Sequence, residues 1–232
     1  MDPNGNDRMH PTGGRGAASG TVPDDFVLAP IDTVDALVAV LELGAGRPEQ
    51  GPPLTGQDDP PNRRGDGRVE GPDGRAERVD QLAHALQCAH ELRLVAPDDV
   101  ELQVAGLVHD IGRLLAPGDD TGHGRSGATA VGALLGDRVA RLVELHVPAK
   151  RYLVSTDRSY RARLSPVSTL TLDRQGGDMT ADEMAAFAGD PFTDAAVVLR
   201  RADEAAKRPG RDVPPLDTWR SALDRTARQA SR

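Results

Sequence analysis

The stretch "LVHDIGRLL", residues 107–115, constrains this chain more than any other. Leu107, Val108, Ile111, Leu114 and Leu115 require a core, yet His109 and Asp110 stand among them. An imidazole and a carboxylate are costly to bury unless something satisfies both. His84, His90, His123 and His146 flank the pair, and only His10 lies elsewhere. Mixed imidazole and carboxylate donors suit iron, manganese, zinc or another divalent metal. The fold must therefore bring polar donors into an apolar interior.

The helical period dominates from Glu77 onward. Residues 77–95 predict a central helix with apolar residues on several faces. Val100, Val104, Leu107, Val108 and Ile111 predict a second, opened by an Asp98–Glu101 capping box and broken by Gly112 just after the His-Asp pair. Further helices are expected at 123–135, 137–146, 164–172, 180–187, 192–207 and 215–229. The β-branched "VSTLTL" is taken as helix rather than strand. The fold class is all-α, with a helical core over 77–232.

More than half of the 25 glycines and 18 prolines lie in residues 1–76, so that region is expected to be mostly disordered and dispensable for folding. Within it, Val34, Leu37, Val38 and Leu41 predict one short helix near 33–43, docking on the main domain or on a partner. The net charge of −8 argues against nucleic acid and anionic membranes as partners. No apolar run is long enough to span a bilayer, and the N-terminus lacks a signal peptide's apolar stretch. The single Cys88 permits no intrachain disulfide, in keeping with a cytoplasmic location, and is read as a small core residue. Oligomeric state is not legible. His90 reads as a core histidine beside Val79, Ala83 and Leu86, and Trp219 as the anchor of the last helix.

The order His84, His109-Asp110, His123, His146, Asp203 resembles that of the HD-domain superfamily over residues 77–207. The words "ELHVPAKRYL", "LSPVSTLTLDRQGGDM" and "VLRRADEAAK" narrow the resemblance to its phosphonate-cleaving, mixed-valent diiron oxygenases, relatives of the inositol oxygenases. The resemblance implies two metal ions, with iron favoured over manganese, zinc or another divalent metal. His84, His109, Asp110 and Asp203 would hold one ion, and Asp110 would bridge to a second held by His123 and His146. It also implies phosphonate contacts at Lys150, Ser168, Thr171 and Arg200, and a gating role for Glu77. Three positions depart from the family pattern: its gating tyrosine is Gly74, a histidine is Arg113, and a glutamine is Asp173.

Rival readings stand beside these. Asp203 could instead form a surface ion pair with Arg200 or Lys207, and Glu77 could be a first-turn glutamate favoured by the helix dipole. Lys150 and Arg151 could be ordinary surface cations. Three functions remain open on sequence: an oxygenase acting with dioxygen on a small anionic organophosphonate, a metal-dependent phosphohydrolase acting on a phosphate ester, and a non-enzymatic sensor that kept its metal site.

Overall fold

The computed structural model describes residues 30–47 and 79–232, and every regular element among them is helical. Glu77 and Gly74, and most of the stretch expected to be disordered, lie outside the described residues. The helices are α1 (Val34–Glu42), α2 (Gln81–Val95), α3 (Val100–Val108), α4 (Ile111–Leu115), α5 (His123–Leu135) and α6 (Asp137–Thr156). They continue with α7 (Arg158–Ala162), α8 (Pro166–Arg174), α9 (Ala181–Ala188), α10 (Thr193–Ala205), a 3₁₀ turn (Leu216–Trp219) and α11 (Arg220–Ala230). No helix of the described residues is long and apolar enough to cross a membrane.

Helices α5 and α6 form a tight hairpin through Gly136, whose φ of +87° lies in the left-handed region. Helix α2 pairs with α3, and α10 lies across α2, α3 and α6. One apolar core runs through all of these, with Leu92, Leu107, Ile111, Leu142 and Leu199 at its centre. A smaller cluster of Leu153, Val154, Tyr160, Leu164 and Leu172 holds α7 and α8 against the end of α6.

The helix expected near 33–43 is α1, and it docks on the main body. Its Leu37 is 0% exposed and Leu41 is 2% exposed, and Ile31 N–H donates to the Ala130 carbonyl at 2.9 Å. The apolar stripe of α1 belongs to the same core as α3 and α5. Thr33 caps it, accepting from Ala36 N–H.

Several boundaries differ from expectation for local physical reasons. The cap of α3 is Asp99, which accepts from Leu102 N–H, while Glu101 pairs with Arg138. The chain breaks at His109–Asp110 themselves, and Gly112 lies inside α4. A Cβ on Gly112 would stand 2.0 Å from the His123 carbonyl oxygen, so glycine lets α4 press against the start of α5. Helix α6 was expected to end at 146 but continues through Pro148 to Thr156. Proline forfeits one helical hydrogen bond, and the buried Leu153 and Val154 carry the helix onward. "VSTLTL" is helical, opened by Ser165 with Pro166 at the first position.

Candidate metal centre

Five elements aim side chains at one point. His84 comes from the middle of α2, His109 and Asp110 from the turn between α3 and α4, and His123 from the first position of α5. His146 comes from α6 and Asp203 from the end of α10. All four histidines and Asp203 are buried, with at most 2% exposure. Asp110 has φ −99° and ψ 10°, the sparsely populated bridge region where many active-site residues sit.

The donors form two groups: His84, His109 and Asp203, and beside them Asp110, His123 and His146. His84 Nε2 lies 3.2 Å from His109 Nε2 and 3.2 Å from Asp203 Oδ1. His123 Nε2 and His146 Nε2 are 3.0 Å apart. Asp110 faces both groups. Its Oδ2 is 3.8 and 3.6 Å from Nε2 of His84 and His109, and its Oδ1 is 3.3 and 3.5 Å from Nε2 of His123 and His146.

The other ring nitrogens settle which nitrogen of each imidazole can ligate. Nδ1 of His84, His109, His123 and His146 lies 3.3, 2.8, 3.1 and 2.6 Å from the carbonyls of Ala206, Gly106, Asp120 and Val143. A carbonyl only accepts, so each Nδ1 carries the proton and each Nε2 presents a lone pair. Two lone pairs facing each other at about 3 Å repel unless a cation lies between them. Such separations suit ligands bound to an ion at about 2.0–2.2 Å. Asp203 Oδ1 is buried and accepts no well-aligned hydrogen bond, with the Lys207 ammonium 3.1 Å away. The residues present therefore fit divalent ions.

Electrostatics agrees. Burial pushes the imidazoles of His109, His123 and His146 below their ordinary range, against the pull of the neighbouring aspartates. Neutral imidazole is the ligating form. Burial alone would raise Asp110 and Asp203, but their neighbours outweigh it and hold both well below the carboxylate range. Around Asp110 these are chiefly His109 and Arg113, and around Asp203 Arg200 and Lys207.

A small cavity opens beside the donors. Lys150, Ser168, Thr171 and Arg200 all line it and are all buried. Lys150 sits one turn past His146 on α6, and its Nζ donates to Thr171 Oγ1 and Gln175 Oε1, both at 2.8 Å. Burial, with Arg200 and Lys207 nearby, pushes its pKa down to about 6. Arg200 donates to Tyr160 OH at 2.6 Å, to Ser168 Oγ at 3.0 Å, and to Asp203 and Glu204.

The sequence reading missed part of this wall. Lys207 lines the cavity, 3.1 Å from both Ser168 Oγ and Asp203 Oδ1, so its i+4 spacing from Asp203 marks a buried pair rather than a surface one. Glu204 and Tyr160 anchor Arg200. Asp173 is exposed, and Gln175 is the residue of that segment that lines the cavity. Arg113 also lines it, 8% exposed. His90 is only half-buried, its Nδ1 meeting Arg93 at 3.2 Å, and takes no part. Cys88 is fully buried, its thiol pushed upward first by that burial.

Three known proteins are similar over most of this chain. A hydroxymethylphosphonate dioxygenase of Gimesia maris is 39% identical over 157 residues, 64% of this chain and 78% of that protein. A [1-hydroxy-2-(trimethylamino)ethyl]phosphonate dioxygenase (glycine-betaine-forming) of Leisingera caerulea is 33% identical over 169 residues, 69% of this chain and 82% of that protein. An uncharacterized protein of Acanthamoeba polyphaga mimivirus is 30% identical over 163 residues, 66% of this chain and 74% of its own. No family model matches the chain.

Proposed function

The chain belongs to the family of phosphonate dioxygenases, and from that membership we propose that it is a diiron oxygenase that releases phosphate from a small hydroxyalkylphosphonate. One observation carries the dinuclear reading: Asp110 turns one oxygen to each histidine pair, as a bridging carboxylate would. His84, His109 and Asp203 would complete one ion's protein ligands, and His123 and His146 the other's. When bound, such an iron pair supplies the redox chemistry with dioxygen and a Lewis-acid centre for the substrate's oxygens.

The chain's own residues do the rest. The Nδ1–carbonyl bonds lock each imidazole in one tautomer and orientation, so the donors need no rearrangement. Thr171 and Gln175 take two of the three ammonium protons of Lys150, leaving one for a phosphonate oxygen. An arriving dianion favours the ammonium and offsets the burial that lowers its pKa. Arg200 and Lys207 flank Ser168 and add positive charge on the same side. Burial strengthens these interactions because water screens them less. The phosphonate is thereby fixed, and the adjacent carbon and its hydroxyl are directed towards the donor clusters.

The test is an assay of anaerobically purified, iron-loaded protein with hydroxymethylphosphonate. Phosphate release that requires oxygen is expected, with about two irons per chain by metal analysis. Oxygen-independent hydrolysis of phosphate esters without phosphonate turnover would overturn the reading.

A further inference from the structure

The cavity's charge is lopsided. Arg113, Lys150, Arg200 and Lys207 all line it, while its only carboxylates among the described residues are Asp110 and Asp203. Both of those face the histidines. No Phe, Tyr or Trp ring lines the cavity among the described residues. A cationic ligand group is held by carboxylates or by aromatic faces, and among the described residues this wall offers no carboxylate beyond those two, which are turned to the histidines.

Arg113 is the cation outside the Lys150–Arg200 cluster. Its Nε donates to Asp110 Oδ1 at 3.2 Å and its Nη1 to Asp120 Oδ1 at 3.0 Å. Arg174 pins the other oxygen of Asp120 at 2.7 Å, so the guanidinium is held from behind. Its Nη2 has no hydrogen bond among the described residues, and the side chain lines the cavity.

We propose that Arg113 sets a charge rule for the substrate: phosphonates whose remaining substituent is neutral or anionic are accepted, and those bearing an ammonium group are rejected. The rule rests on the phosphonate reading above and narrows it. It favours a substrate resembling that named for the Gimesia protein over the trimethylamino compound named for the Leisingera protein.

The experiment is anaerobic titration calorimetry on the metal-loaded full chain with two ligands of nearly equal shape. One is an α-hydroxy aminoethylphosphonate, its amine protonated at neutral pH, and the other its α-hydroxy propylphosphonate isostere, whose substituent is uncharged. The propylphosphonate should bind at least about tenfold more tightly, because two like charges in a partly buried site repel strongly. Arg113→Gln should shrink that gap to about threefold or less, and Arg113→Lys should preserve it. Equal binding of the two by the wild type overturns the rule, as does a gap that Arg113→Gln leaves unchanged. If the gap is present but no phosphonate yields phosphate under oxygen, the oxygenase reading fails and the charge rule stands. Failure of the propylphosphonate to bind overturns both.

Discussion

Asp110 divides its two oxygens between the two histidine pairs, so its loss strips a donor from each. Asp110→Ala should leave neither metal bound, whereas His146→Ala should lose mainly one, as metal analysis of the purified variants would read. Lys150→Ala removes one charge-assisted hydrogen bond and should weaken phosphonate binding by roughly ten- to a hundredfold, about 1.5–3 kcal/mol, with metal content intact. Proton linkage gives a further expectation. The imidazoles of His109, His123 and His146 lie below their ordinary range in the folded protein. The unfolded chain therefore binds more protons as pH falls through the ordinary value of about 6.5. Stability of the metal-free protein is complete above that value and declines below it. Melting temperatures measured from about pH 8 down to about pH 5.5 should fall, and a flat profile would contradict the burial of neutral imidazoles. At this scale the candidate donors were legible through the family resemblance, and the structure brings those six residues together. It was least legible for Lys207 and Gln175, whose roles depend on neighbours distant along the chain.

Elements matter here through where they break and where they refuse to break. The turn at His109–Asp110 lets one helix hand over to the next, and Gly112 brings α4 against the His123 carbonyl. Gly112→Ala should cost about 1–3 kcal/mol or more through overpacking. Because the clash falls on His123, affinity for the second metal should drop with it. Denaturant melts and metal titration would measure the two effects. Continuation of α6 through Pro148 has the opposite use: it keeps Lys150 one turn beyond His146 on a single rigid helix. A helix ending at 146 would have left that lysine on a loop. Propensity alone could not decide this, since the lost hydrogen bond is offset by apolar contacts that α7 and α8 supply.

For the molecule as a whole, the surprise is α1. The composition of residues 1–76 suggested a dispensable region, yet Leu37 and Leu41 are as buried as the centre of the bundle. Leu37→Ala should destabilise the fold by about 2–5 kcal/mol, the usual range for a large-to-small core change. A chain beginning near Gly71 should lose the cover over α4 and α11 and bind a hydrophobic dye, whereas one beginning near Pro30 should melt like the full chain. Chemical denaturation of the two truncations would distinguish them.

The sequence by itself determined the helical class, a property of residue type and period that needs no long-range information, while the six candidate donors and the Lys150 and Arg200 contacts came from the family resemblance. Only the tertiary structure decided that Arg113 and Lys207 join the cavity wall while Asp173 leaves it, and that α1 docks on the main body rather than on a partner. Each of these depends on which helix faces meet across the bundle. Side chains far apart in the chain fix that together, because burial of one face is stabilising only against the matching face of another.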